Sequence, residues 1–114
     1  TRQPVFAPSV GNFAQGMAVQ VPLHLGGRRS LAALADALAA HYAEGPFIRV
    51  VPPEARVVPT RLNDTNRLEI SVHGDDATGC AVVVAVLDNL GKGASGAAVQ
   101  NLNLMLGAPQ TAGL

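Results

Sequence analysis

CAVVVAVLDNLGKGASGAAVQNLNLMLG, residues 80–107, holds the two patterns that decide the fold. Residues 80–87 are continuously apolar and rich in β-branched valine, which suits a strand. A run apolar on both sides implies cover on both faces, hence a central strand. The glycine-rich loop Asp88-Asn89-Leu90-Gly91-Lys92-Gly93 ends that run. Ala98, Val99, Leu102, Met105 and Leu106 then recur at helical spacing, which predicts a helix over residues 95–106. Gly107 and Pro109 supply its stop, and the residues from Gln110 onward are expected to fray.

Upstream, residues 66–73 alternate: Leu68, Ile70 and Val72 against Arg67, Glu69, Ser71 and His73. Residues 74–79 read as a turn, so this strand and residues 80–87 form a hairpin. Residues 17–25 alternate as well, with Met17, Val19, Val21, Leu23 and Leu25 on one side. That predicts a half-buried strand, and Pro22 places it at an edge or bulge because it donates no ladder hydrogen bond. Gly26 and Gly27 end it. Ser30 is a good N-cap for an amphipathic helix of about four turns built on Leu31, Leu34, Leu38 and Tyr42. Gly45 and Pro46 stop that helix, residues 47–51 form a short strand, and residues 52–59 are an irregular, proline-bearing connection. The order is strand, helix, strand, strand, strand, helix, which implies an α+β fold: an antiparallel sheet with helices on one face.

With 114 residues, the chain suits one domain. Only 14% of residues are charged, where about 25% is usual. Part of the surface is therefore expected to be buried against a second subunit or another part of the same polypeptide. The net charge is zero and Lys92 is the only lysine, so a nucleic-acid partner is not expected. Arg28 and Arg29 read as a solvated turn. No apolar run is long enough for a membrane span. The start, TRQPVFAPSVG, has neither a signal-peptide layout nor an initiator methionine, and it reads as a cut inside a longer chain. The single cysteine, Cys80, excludes an internal disulfide and points to a reducing, cytoplasmic setting.

Chemistry concentrates in two places. In the loop before the last helix, Asn89 offers amide donors and an acceptor, and Lys92 offers an ammonium. Gly91, Gly93 and Gly96 allow close backbone approach, and a helix start favours an anion. The loop reads either as a carboxamide or phosphate site, or as an ordinary strand-to-helix turn. In Asn63-Asp64-Thr65-Asn66-Arg67, Arg67 could bind a carboxylate or phosphate in a bidentate way, with Asn66 beside it. The same residues also read as a turn that opens a strand. Cys80, in apolar surroundings with no basic neighbour, is expected to be buried and inert. His24, His41 and His73 have no metal-ligand spacing, so no metal is expected. Asp75 and Asp76 read as a solvated turn.

Three segments carry a resemblance. LDNLGKGASGAAVQNLNLMLG (residues 87–107), DTNRLEISVHGDD (64–76) and FAPSVGNFAQGMAVQVPLHL (6–25) are similar to the N-acetyl-gamma-glutamyl-phosphate reductase family, in its second, shorter type. The resemblance covers nearly the whole chain and corresponds to the C-terminal portion of that family. It implies a glyceraldehyde-3-phosphate-dehydrogenase-like C-terminal domain. Residues 1–88 would form part of the substrate and dimerisation domain. Residues 89–114 would be a C-terminal helix that packs on a Rossmann domain outside this chain. It also implies an NADP-dependent reduction of N-acetyl-glutamyl phosphate, an acyl phosphate, to N-acetyl-glutamate semialdehyde in arginine biosynthesis.

In the family a cysteine in a Gly-Cys-Tyr-Pro-Thr motif attacks the substrate, and a histidine in a His-Arg-His-x-Pro-Glu motif moves protons. Neither motif is in this sequence, nor is a glycine-rich dinucleotide fingerprint, and Cys80 is not at the nucleophile's place. The resemblance therefore assigns no catalytic residue here, and the chain alone is expected to be inactive. Asn89 matches the asparagine that contacts the nicotinamide carboxamide, with Lys92, Gly93 and Ala94 beside it as cofactor candidates. Asn66 and Arg67 are substrate candidates, and Asn12 and Gln15 are weaker ones. The expected partners are the N-terminal half of the same polypeptide and further copies of the chain. Two other readings stay open. One is a non-catalytic dimerisation or binding module using the face of Gln20, His24, Arg67, Glu69, Ser71 and His73. The other is part of a related amino-acid semialdehyde dehydrogenase.

Overall fold

The computed structural model describes residues 3–26 and 29–114. Its frame is a four-stranded sheet of order β1-β4-β3-β2, with β1 at Met17–His24, β2 at Ile48–Val50, β3 at Leu68–Asp75 and β4 at Cys80–Leu87. β4 is interior, as its unbroken apolar run predicts, and pairs antiparallel with both β1 and β3. β1 is an edge strand, which leaves the missing N–H of Pro22 without consequence. The β3–β4 hairpin closes through Gly79, whose φ of 64° lies in the left-handed region. One pairing departs from the expectation: β2 runs parallel to β3, so the sheet is mixed. The long connection over residues 51–67 makes this possible, because a parallel neighbour needs a crossover and not a tight turn. The α+β class stands.

α1 (Leu31–Tyr42) spans 12 residues, nearer three turns than four. Ser30 caps it as predicted, its Oγ accepting the Ala33 N–H at 3.1 Å. The hairpin adds a second cap, since Asp76 Oδ1 accepts the Leu31 N–H at 2.7 Å. Asp76 is thus more than a solvated turn residue: it ties the helix start to the β3–β4 turn. The expected Gly26-Gly27 strand end and the Arg28-Arg29 turn fall partly outside the described residues.

The two sheet faces are covered unequally. α1 lies along β2 and β3, where Ile70 and Val72 are buried. The same face continues across β4 to β1 and there loses its cover: Met17, Val19, Val21 and Leu23 are 41, 42, 47 and 37% exposed. The expected half-burial of that apolar side is therefore not found. On the opposite face, residues 52–66 fold over the sheet. Leu62 from this connection packs with Val84 and Val86, and Val57 and Ala18 join the cluster. Arg61 bridges to Glu69 of β3 and to Glu54. Ser71 is buried, and its Oγ lies 2.8 Å from His73 Nε2. On the polar face considered for assembly, Glu69, Ser71 and His73 are covered in part or whole by the chain itself, whereas Gln20, His24 and Arg67 are exposed, as is the apolar side of β1.

Beyond β4, a π-helical turn at Gly91–Ser95 leads into α2 (Gly96–Leu106). α2 ends on Gly107, at φ 67°, whose N–H reaches the Asn103 and Leu104 carbonyls. The predicted apolar side of this helix is exposed: Leu102 is 52%, Met105 84% and Leu106 71% accessible. The chain after it does not fray. Asn103, 8% exposed, donates its Nδ2 to the carbonyls of Gln110 and Ala112 and folds the tail back on the helix.

Candidate functional site

At the end of β4 the chain must turn from a central strand into a helix, and Asp88 organises the change. It is 2% exposed. Its Oδ1 accepts the Leu90 N–H at 2.9 Å, and its Oδ2 accepts the Asp64 N–H at 2.8 Å and Gln15 Nε2 at 3.2 Å. Hydrogen bonds from the Leu90 and Asp64 backbone, and more weakly from Gly91, hold its carboxyl below the usual carboxylate range, against the opposing pull of desolvation. One carboxylate thereby joins three segments distant in sequence: residues 15–16, residues 63–65 and the loop of residues 88–93. Asp64 accepts the geometry at a cost, being the one non-glycine described residue with a positive φ, 61°.

Asn89 is the next residue. Its Oδ1 accepts the Gly16 N–H at 2.7 Å. Asn63 Nδ2 donates to the Gln15 carbonyl at 3.2 Å, and Gln15 Nε2 also reaches Asp64 Oδ1 at 2.8 Å. Asn89 lines an open cleft of about 560 Å³ with Ser9, Phe13, Gln15, Gly16 and Pro59. That volume is within the range of small-molecule sites, roughly 300–1,000 Å³. A second cleft, of about 430 Å³, is lined by Asp64, Asn66, Asp88, Leu90, Ser95 and Leu114 among others. Gln15 lines both clefts.

The other candidates are dispersed. Lys92 lies over the Phe47 ring at 5.2 Å and donates to Gln100 Oε1 at 2.5 Å, and Gln100 in turn donates to Gln110. Desolvation lowers its pKa. Gly93 and Ala94 are exposed on the π-turn. None of these three lines the cleft of Asn89. Asn66 packs against Gly96 and lines the second cleft, and both of its side-chain polar atoms are buried without a partner among the described residues. Arg67 is exposed and lines neither cleft. Asn12 is exposed. The structure therefore brings Asn89 together with Gln15, and it separates both from Lys92 and Arg67.

Cys80 is exposed, contrary to expectation. It sits at the open end of β4, with Sγ 3.8 Å from His24 Nδ1 and from the Thr78 carbonyl. Among the described residues no group of three or more His, Cys, Asp or Glu is arranged to hold a metal, and no helix is long and apolar enough to cross a membrane.

Residues 1–89 match the family model described as semialdehyde dehydrogenase, dimerisation domain. The chain belongs to the semialdehyde dehydrogenase dimerisation-domain family. It is 50% identical to an N-acetyl-gamma-glutamyl-phosphate reductase of Chelativorans sp. (strain BNC1) over 92% of its own length and 37% of the relative's. It is 50% identical to the protein of that name in Brucella anthropi over 93% of its own length, and 49% identical to that of Sinorhizobium medicae over 94%. In each case the match spans 37% of the relative's length, so the chain covers little more than a third of these relatives. The sequence reading missed Asp88 as the hub and the Gly16–Asn89 contact. Two cues were present: an acidic residue ending an apolar strand, and a glycine beginning the alternation of β1.

Proposed function

We propose that this chain is the C-terminal part of an NADP-dependent N-acetyl-gamma-glutamyl-phosphate reductase, and that Asn89 holds the nicotinamide carboxamide. The observation that carries the reading is the state of Asn89. Its oxygen accepts the Gly16 N–H, the residue lines the open cleft, and its Nδ2 donates to nothing among the described residues. A free amide donor on a rigid strand end fits the carbonyl of a carboxamide. The cofactor, when bound, supplies hydride. The residues of this chain supply orientation: Asp88 and Gln15 fix the loop, and Asn89 sets the ring's rotation. Gly93 and Ala94, exposed on the π-turn, are available to the same ligand, whereas Lys92 is committed to Gln100 and Phe47. Asn66 and Arg67, beyond Asp88, are left for the acyl-phosphate substrate. The nucleophile and the base come from the part of the protein outside residues 1–114, so the chain alone is inactive. The uncovered side of α2 would pack on that part.

The test is complementation. The 114-residue chain joined to an N-terminal part of the kind its relatives carry should reduce N-acetyl-glutamyl phosphate with NADPH. Asn89→Ala in the joined protein should raise KM for NADPH. A joined, folded protein without turnover, or one whose KM for NADPH ignores Asn89→Ala, defeats the reading.

Assembly has its own support. Met17, Val19, Val21 and Leu23 form an uncovered apolar strip on an edge strand, in a domain whose family is described by dimerisation. A second copy of the chain covers that strip in our reading, and oligomeric state is the measurement that checks it.

A further inference from the structure

The N–H of Gly16 and the carbonyl of Gln15 belong to one peptide unit, and asparagine side chains grip both ends of it. Asn63 Nδ2 donates to the carbonyl at 3.2 Å, and the N–H donates to Asn89 Oδ1 at 2.7 Å. The Gln15 side chain is itself held by Asp64 and Asp88, so the peptide plane has little freedom to turn. Gly16 adopts φ 110°, a conformation other residues avoid. A Cβ there would sit 2.6 Å from the Pro59 carbonyl and 2.9 Å from Asn63 Oδ1.

An asparagine amide is ambiguous by nature, since half a turn of its terminal torsion exchanges donor for acceptor. A backbone N–H removes the ambiguity because it can only donate. We propose that the Gln15–Gly16 peptide is a polarity-setting element for Asn89: it holds the side-chain oxygen toward Gly16 and so leaves Nδ2, a donor, as the end of the amide free to meet a ligand. Gly16 and Asn63 are positioning residues in this arrangement. The consequence concerns specificity. The position favours a ligand carbonyl oxygen over a ligand N–H. The proposal rests on Asn89 facing the cofactor carboxamide, and it adds which atom of that group is read.

Two measurements separate the lock from its use. In the 114-residue chain, a scalar coupling through the hydrogen bond between Gly16 15N and Asn89 13Cγ is expected in the unaltered protein. Gly16 amide exchange should stay slow in Asn89→Asp, which keeps an acceptor, and run about tenfold faster or more in Asn89→Ala, which does not. A missing coupling, or equal exchange in the unaltered chain and Asn89→Ala, overturns the lock. In the chain extended to the length of its relatives, the 3-acetylpyridine analogue of the cofactor keeps the carbonyl and lacks the amide nitrogen. The KM penalty of Asn89→Ala should be equal for both cofactors. A penalty confined to the carboxamide cofactor overturns the inference of carbonyl reading. With the coupling present and no penalty for either cofactor, it is the functional assignment of Asn89 that fails.

Discussion

Asp88 Oδ2 accepts the Asp64 N–H at 2.8 Å, and this bond holds a left-handed aspartate against the end of the central strand. The carboxylate that accepts it also receives the Leu90 N–H, so one buried anion serves donors from two directions. Its pKa is lowered chiefly by these backbone donors. The sign follows from linkage. With the folded value depressed, the unfolded chain binds the proton first as pH falls. Stability from Asp88 is therefore present above the ordinary carboxylate value of 3.8 and is lost as pH drops through the folded value. Asp88→Asn places an NH₂ where an N–H already points. We expect a lower denaturation midpoint near pH 7 and a shallower acid dependence than the unaltered chain, read by urea titration at several pH values. An unchanged midpoint together with an unchanged acid slope would remove Asp88 from the centre of the junction.

Gly16 and Gly79 make a controlled comparison. Both have positive φ, 110° and 64°, but a Cβ meets nothing within 4 Å at Gly79 and meets backbone at Gly16. Gly79→Ala should cost about 1 kcal/mol, the strain of the left-handed region alone. Gly16→Ala adds collision with the Pro59 carbonyl, and we expect roughly 2–4 kcal/mol in total. Denaturant midpoints measure both, and equal costs would show that the residue 15–16 loop yields easily.

The strip of Met17, Val19, Val21 and Leu23 gives a third expectation. Val21→Glu puts a charge in the middle of an apolar surface that the chain itself leaves 47% exposed at this residue. If a second copy covers it, sedimentation should show loss of the oligomer while the sheet persists by circular dichroism. A monomeric parent chain, or an oligomer indifferent to Val21→Glu, points to a different interface.

How much of this was legible in the sequence depends on the range of the interaction. The interior place of β4 followed from eight apolar residues in a row, and the α1 start followed from Ser30, because each is a local pattern. Pro22 gave the edge. Periodicity could not say which apolar faces would be covered. Val19 and Leu102 read as residues of apolar, covered faces, yet both are exposed, because no other described segment packs over them. The parallel pairing of β2 was hidden in a connection without periodicity. The site divides the same way. Asn89 is a candidate because of the motif around it. Its partner Gly16 lies 73 residues away, and no spacing rule reports that contact. Asn103, which carries no local signal in the sequence, is buried by a tail expected to fray.

That tail supplies a fourth prediction. Asn103→Ala deletes the donor shared by the Gln110 and Ala112 carbonyls. The loss should be about 1–2 kcal/mol, the scale of two modest hydrogen bonds whose carbonyls can turn to water instead. Hydrogen exchange and carboxypeptidase trimming should accelerate at residues 110–114 and not in β4. Uniform acceleration through the sheet would mean that the tail belongs to the global unfolding unit.

Lys92 is the last case, and its sign is opposite to that of a salt-bridged lysine. No carboxylate lies within ion-pair distance among the described residues. Its ammonium has the Gln100 oxygen and the Phe47 ring, and desolvation lowers its pKa from 10.5. Below the folded value both states are protonated, and the folded state carries the full cost of partial burial. As pH rises from the folded value toward 10.5, the folded state releases the proton first, so stability increases with pH across that window. Lys92→Met keeps the apolar stem against Phe47 and removes the charge. Near pH 7 the change in stability should be within about 1 kcal/mol, because lost attraction to the ring offsets relieved desolvation. The decisive readout is the alkaline limb: the rise between the two pKa values should vanish in Lys92→Met, leaving the contributions of the other titrating groups. If the limb is the same in both proteins, the ammonium is as well solvated in the folded chain as in the unfolded one, and its place over Phe47 is incidental.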